Sequence, residues 1–314
     1  MGRSDGAPSE LPMTTAAEPL TPAGKPSFGR RLARFFHRHP HVQLAALLAL
    51  PLTWLVGAYI GSLVVLLVAA FWTLDAFTAE VVHTFTIDNF KLLFQTSVYR
   101  TITFRTLGMG AAVTVADFVL ALPIAYYMAK VATPRTRNLL VVAVLMPLWT
   151  SYLVKVYAWR VVLQEEGILN WVLGPFGLHG PGFGWLGAWL VFTYLWLPYM
   201  ILPLYAGLER IPDSLLEASS DLGARAGRTF RRVVMPLVLP AAVAGSIFTF
   251  SLTIGDFITP QIVYQGKQFI GNVVYVNVGV ANNLPLAAAF ATVPVVVMVI
   301  YLLIARRLGA FESL

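Results

Sequence analysis

Six stretches of this chain are each long and apolar enough to cross a bilayer, and they leave it few ways to fold. They run over residues 42–74, 101–128, 139–163, 186–208, 236–260 and 284–305. A helix needs about 20 apolar residues to span the hydrocarbon. With no water in that layer to satisfy open backbone, segments of this length fold as a bundle of helices. The composition agrees: 58% of residues are hydrophobic and 12% charged, with a mean hydropathy of +0.72, where a soluble domain carries about 25% charged residues. The expected fold is all-α and integral to a membrane, with six transmembrane helices. The chain has no cysteine, which excludes a disulfide framework and thiolate metal sites.

Charge sets the orientation. Sixteen of the 22 Lys and Arg lie in the N-terminal tail, the loops after the second and fourth spans, and the C-terminus; Lys91, Arg100, Arg105, Lys155, Arg160 and Lys267 are left for the other side. Lys and Arg concentrate in cytoplasmic loops, so both termini are expected in the cytoplasm, with the protein multi-pass in the plasma or inner membrane. The net charge of +7 then reflects topology, and no nucleic-acid partner is expected. Residues 1–41 are rich in Pro, Gly, Ser and Ala and then turn basic, the composition of a mostly disordered cytoplasmic tail. Its end, Arg30–Arg38, has the pattern of a short amphipathic helix lying on membrane lipid. His37, His39 and His41 flank Pro40 with no carboxylate nearby; they read as part of the basic patch, and no metal site is expected. The first forty residues hold no apolar core of a cleavable signal. Residues 42–314 are expected to form one transmembrane domain.

The most polar run beyond the tail, residues 209–235, interrupts the chain between spans four and five. Ser214 and Glu217 stand in S-x-x-E spacing, a capping box that would start a helix. Gly223 would end it, because glycine accepts the left-handed conformation just past a helix. A second short basic helix is expected from Arg225 to Met235. Pro236 would open the next span at a helix N-terminus, where its missing N–H matters little. The product is a helix–turn–helix elbow at the membrane surface. A plain amphipathic connector resting on lipid is the alternative.

The spacing of this loop is distinctive. Glu217-Ala218-Ser219, three residues, Gly223, nine residues and Val233-Val234-Met235-Pro236 resemble the EAA loop of ABC importer permeases, E-A-A-x3-G-x9-I-x-L-P. Ser219 replaces the second Ala, and Val233 and Met235 replace Ile and Leu. Asp88-Asn89-Phe90, the run Pro147 to Trp159, Pro198 to Tyr205, Gly255-Asp256-Phe257-Ile258-Thr259-Pro260 and Ile270-Gly271-Asn272 are similar to the spermidine/putrescine permease branch. The resemblance implies a type I ABC importer permease fold with a cytoplasmic coupling helix. It implies that Glu217, Ala218, Ser219, Asp221, Gly223 and Pro236 serve coupling to an ATPase. It also implies an ATP-binding subunit dimer, a second permease subunit in a heterodimer, and an external solute-binding protein. The solute would be small and polar, a polyamine foremost; iron, phosphonates, thiosulfate-like anions and opines are the branch's other solutes. The phosphate-binding pattern G-x4-G-K-[ST] is absent from the sequence. ATP and Mg²⁺ are therefore expected in the partner ATPase, with no cofactor and no enzyme activity in this chain.

Ionisable groups at membrane depth are functional candidates by default. Asp117 falls in the middle of span two, Asp256 in the outer part of span five, and Lys155 near the outer end of span three. The candidate substrate path comprises Asp256, Thr150, Tyr152, Lys155, Tyr157 and Trp159. Asp256 either lines that path or accepts backbone amides beside Pro260. For Asp117 a structural hydrogen bond is expected. Snorkelling to the interface also explains Lys155, and an interfacial belt explains the aromatics. Asp256, Glu165 and Glu166 suit a cationic solute, Lys155 and Arg160 an anion. A remote enzyme reading makes Asp117 and Asp256 an intramembrane aspartyl protease pair sharing one proton. The flanking residues, Ala116-Asp117 and Thr253-Ile254-Gly255-Asp256, each depart at one position from the Tyr-Asp and Gly-x-Gly-Asp motifs that such a pair requires.

Overall fold

The computed structural model of the chain describes residues 2, 40–75 and 77–307. The expected tail, its basic helix and the histidines at 37 and 39 lie outside the described residues. Five described helices are long and apolar enough to cross a membrane: His41–Ala69, Ser97–Val131, Trp185–Glu209, Ala226–Gly255 and Leu284–Arg307. Pro134–Trp149 and Tyr152–Val162 meet at 94° and make a sixth if counted as one broken span.

The chain divides after Ser62 into two units. The first holds α1 (Pro40–Trp54), which contains Pro51, and the π-helical turn Leu55–Ile60 that follows it. Helix α2 (Gly61–Ala69) leads into the second. There a two-stranded antiparallel ribbon, β1 (Thr73–Leu74) against β2 (Val81–Val82), pairs Thr73 with Val82. Helix α3 (Asp88–Gln95) follows. Asn89 ties it to the end of α2, donating from Nδ2 to the carbonyls of Ala70 and Trp72 at 3.0 and 2.8 Å.

The centre of this unit is three long helices: α4 (Ser97–Tyr126), α8 (Trp185–Glu209) and α11 (Met235–Gly255). Apolar side chains give little drive for association inside lipid, so close contact depends on small residues. A methyl group added at Gly207 would come within 2.5 Å of the Ala241 Cβ, and one at Gly245 within 2.8 Å of the Met200 sulfur. Two buried clusters result. One joins Met109 and Val113 to Phe192, Leu195, Val263 and Phe269. The other joins Ala121, Ala125 and Met128 to Met200, Leu204, Leu208 and Val238.

Several expected boundaries move. Span three is two helices, α5 (Pro134–Trp149) and α6 (Tyr152–Val162). Pro147 removes one helical donor, and Thr150 and Ser151 are extended, with ψ of 141° and 133°. After α7 (Ile168–Leu173) and α8, the polar loop forms α9 (Asp213–Asp221) and α10 (Ala226–Thr229). Span five ends at Gly255, five residues short of the expected limit, and a separate helix α12 (Ile258–Val263) follows. The loop expected over 261–283 contains α13 (Ile270–Gly279), before α14 (Leu284–Arg307) closes the unit.

Candidate functional site

The elbow is built from α9, α10 and the start of α11. Its first helix starts two residues earlier than the Ser214 cap would set it. Pro212 occupies the N-cap with no side-chain cap bond, so the Ser214–Glu217 capping box does not form. What fixes this end is Lys130, in the π-helical turn Tyr127–Val131 that continues α4. Its Nζ donates to the Ile211 carbonyl at 2.5 Å and to Asp213 Oδ1 at 2.7 Å. The ammonium is shielded, with 9% of the Lys130 side chain exposed against 76% for Asp213. Asp213 in the first turn also complements the positive end of the helix dipole. Nearby, Arg137 lies 3.6 Å from Glu209 Oε1 and donates to the carbonyls of Met128 and Ala129. The C-terminal ends of α4 and α8 and the N-terminal end of α5 are thus knotted to the root of the elbow.

Gly223 stands just past α9 with φ +76°, which a side chain would strain. Ala224 N donates to the Ser219 carbonyl at 3.1 Å and Gly223 N to that of Ser220 at 2.8 Å, the paired bonds of a Schellman turn. Ser219 Oγ and Thr229 Oγ1 lie 2.8 Å apart, so the hydroxyl that replaces the second Ala bridges the two arms of the elbow. Leu216 and Phe230 pack inward on the cluster around Met128 and Val234. Glu217, Ala218, Asp221 and Leu222 face outward, Leu222 at 88% exposure. Pro236 is the second residue of α11, in the first-turn position expected of it, although the helical run is continuous from Ala226 through a π-helical turn at Phe230–Val234. The wide turn leaves room for a ring that lacks a donor.

At the other end of α11 the structure brings Asp256, Tyr152 and Thr259 together. Asp256 Oδ1 accepts from the amides of Ile258 and Thr259 at 2.8 and 3.2 Å. Oδ2 accepts from the Thr259 hydroxyl at 2.8 Å and from the Tyr152 hydroxyl. Asp256 is 9% exposed, and the protein's own donors occupy both of its oxygens. Asn272 completes the knot, donating to the Phe257 carbonyl at 2.6 Å. The other path candidates are dispersed. Lys155 turns back across the α5–α6 break and donates to the Pro147 carbonyl at 3.1 Å. Trp159 packs on Tyr194 with ring centroids 5.4 Å apart. Thr150 is exposed at the break. Tyr157 lines a cleft of about 400 Å³ with Arg160, Gln261 and Gln265. Asp117 is fully buried, and neither carboxylate oxygen has a hydrogen-bond partner among the described residues, so the structural hydrogen bond expected for it is not formed. Sequence alone assigned no role at these sites to Lys130, Thr229 or Asn272. Thr259 was within reach, because Asp-x-x-Thr spacing puts a hydroxyl beside a capping carboxylate.

Long apolar helices, a three-helix core and a polar elbow between the fourth and fifth crossings define a multi-pass membrane permease subunit. The chain belongs to the family described as binding-protein-dependent transport system inner membrane component, whose profile matches residues 30–310. It is 45% identical over 310 residues to the inner membrane ABC transporter permease protein YdcU of Escherichia coli, covering 94% of this chain and 98% of that one. It is 30% identical over 264 residues to the spermidine/putrescine transport system permease protein PotB of Haemophilus influenzae, covering 82% and 91%. Among solved structures, a bacterial alginate ABC transporter in complex with an alginate-bound periplasmic protein matches with a TM-score of 0.67 at 18% identity, over 89% of this chain and 97% of that one. An inward-facing methionine ABC transporter gives 0.54 at 16% identity, over 69% and 95%. The fold is that of a type I importer permease. The chain is an ABC importer permease subunit and not an enzyme, which removes the protease reading. The geometry agrees, since Asp117 and Asp256 share no hydrogen bond.

Proposed function

We propose that this chain carries a polyamine inward across the membrane, driven by a separate ATPase that docks on the elbow. The observation that carries the coupling reading is the elbow's construction. A Schellman turn at Gly223 and the Ser219–Thr229 bridge make it stiff, and the Lys130–Asp213 pair joins it to a transmembrane helix. A push on the outward residues Glu217, Ala218, Asp221 and Leu222 therefore moves the bundle rather than bending the loop. ATP and Mg²⁺ belong to an ATP-binding subunit dimer on the cytoplasmic side, and both termini of this chain face that side. A second, non-identical permease subunit pairs with it, and an external binding protein delivers the solute. The polyamine assignment is supported by the spermidine/putrescine PotB relatives at 30–32% identity.

The test is uptake of labelled spermidine and putrescine by cells expressing the whole transporter, normalised to assembled complex, with iron, phosphonate, thiosulfate and opine as competitors. Saturable polyamine uptake that only polyamines inhibit is the expected result. Uptake blocked by an anionic competitor would move the solute class to anions and leave the coupling reading standing. Unchanged uptake in a Glu217→Lys variant would remove the coupling reading.

A further inference from the structure

Two cavities meet at Tyr275. One, of about 650 Å³, opens between the first turns of α4, the loop after α12 and α13; its polar lining includes Ser97, Thr101, Arg105, Gln261, Lys267 and Asn272. The other, of about 470 Å³, lies against α11, α13 and α14 and is lined by apolar side chains such as Ile254, Phe257, Val274, Val278 and Pro294. Tyr275 belongs to both walls.

The first cavity is cationic. The Arg105 guanidinium and the Lys267 ammonium lie 5.8 and 5.9 Å from the centroid of the same Tyr264 ring. No Asp or Glu lines this space, and among the described residues no carboxylate pairs with either cation. Arg105 donates to the Gln268 carbonyl at 3.4 Å, which leaves most of its five N–H groups for a ligand. Two cations gathered on one ring, with hydroxyls and amides beside them, call for an oxyanion. Depth narrows the choice. Between Arg105 and Lys130 the helix covers residues 106–129, about 36 Å at about 1.5 Å per residue, against a hydrocarbon core about 30 Å thick. Arg105 therefore sits at the level of lipid headgroups, and the adjoining apolar groove runs toward the hydrocarbon.

We propose that the two cavities form one site for an anionic phospholipid, its phosphate between Arg105 and Lys267 and an acyl chain in the groove beside α13. The inference is independent of the polyamine reading, because a polyamine would be repelled from this cavity.

The test uses the full chain purified in detergent with the subunits that co-isolate. Native mass spectrometry and thermal unfolding are followed with phosphatidylglycerol, phosphatidylethanolamine or inorganic phosphate. Two variants are compared with the parent: Arg105→Gln with Lys267→Gln, which removes both charges, and Gly279→Leu, which fills the groove at a position with nothing within 4 Å of an added Cβ. The expected result is selective retention of phosphatidylglycerol with a rise in melting temperature. Retention should fall by about tenfold or more in the charge variant, as loss of a charge-assisted bond implies, and fall also in Gly279→Leu. Equal retention of phosphatidylethanolamine, or no loss in the charge variant, overturns the site. Displacement by millimolar phosphate with no effect of Gly279→Leu shows a free-anion pocket and overturns the lipid. Disulfide capture of Val278→Cys by a neighbouring permease subunit shows that protein covers the groove, and overturns it equally.

Discussion

Asp117 and Asp256 are both buried carboxylates of one bundle, and their surroundings are opposite. Asp256 caps the end of α11 and gathers two amides and two hydroxyls; Asp117 lies mid-helix between the two apolar clusters and meets no donor among the described residues. A buried acceptor without a partner is destabilising, whereas removing a shared acceptor strands every donor that used it. The two substitutions should therefore differ in sign. Asp117→Leu is expected to raise the stability of the purified chain by about 1–3 kcal/mol, and Asp256→Ala to lower it by about 3 kcal/mol or more. Thermal unfolding in detergent reads both; a loss of stability in Asp117→Leu would mean that its carboxyl group is satisfied within the chain, by a bound water for instance. Half of this contrast was legible in the sequence. The Asp256-Phe257-Ile258-Thr259 run displays a capping carboxylate and its local hydroxyl. Tyr152 stands 104 positions away, and no local pattern links it to Asp256.

The elbow is where a spaced motif outperformed propensity. Its turn was legible because Gly223 has a physical job, φ +76° at the end of α9; its start was not, because Pro212 and not Ser214 holds the N-cap. The internal wiring was not, because Lys130 reaches Asp213 from 83 positions upstream. Hydropathy likewise hid the break in span three: an average over apolar residues cannot register a 94° turn set by one proline and two extended residues. The element-scale prediction concerns stiffness. A β-branched residue at Gly223 is forced toward a backbone region that L side chains avoid, at about 1–2 kcal/mol, and the Schellman bonds to Ser219 and Ser220 are its alternative to give up. Gly223→Val should insert and assemble with near-parental melting temperature yet abolish uptake, with ATP hydrolysis no longer responding to loaded binding protein. Gly223→Asn, which tolerates the left-handed conformation, should restore most of the uptake. Equal loss in both variants would show that the position needs a bare backbone for contact and not a positive φ.

At the scale of the whole molecule, charge is what bears on which way the spans run. Five helices long enough to cross, and the broken pair as a sixth, were readable from apolar length alone; α13, with 10 residues, is too short for that signal and reads as loop. If the N-terminus is cytoplasmic, α4 descends from Arg105 to Lys130, the elbow lies inside, and the segments before α8 and after α12 lie outside. The positive-inside bias supports this arrangement, and the chain offers a clean way to check it because it has no cysteine. Ser219 is a poor probe, being half-buried and bonded to Thr229. Leu222, at 88% exposure, and Leu178, at 56%, are better placed. An impermeant thiol reagent added to intact cells should label Leu178→Cys and spare Leu222→Cys. Permeabilisation, or inverted vesicles, should expose Leu222→Cys, and added ATPase subunit should then protect it if the elbow is the docking surface. Labelling of Leu222→Cys from outside would invert the whole assignment, carrying Arg105 and Lys267 to the cytoplasmic leaflet and the Tyr157–Arg160 cleft to the inner mouth. Labelling from the inside without protection would keep the topology and separate it from the coupling role, because orientation follows from charge while docking depends on the outward face of α9.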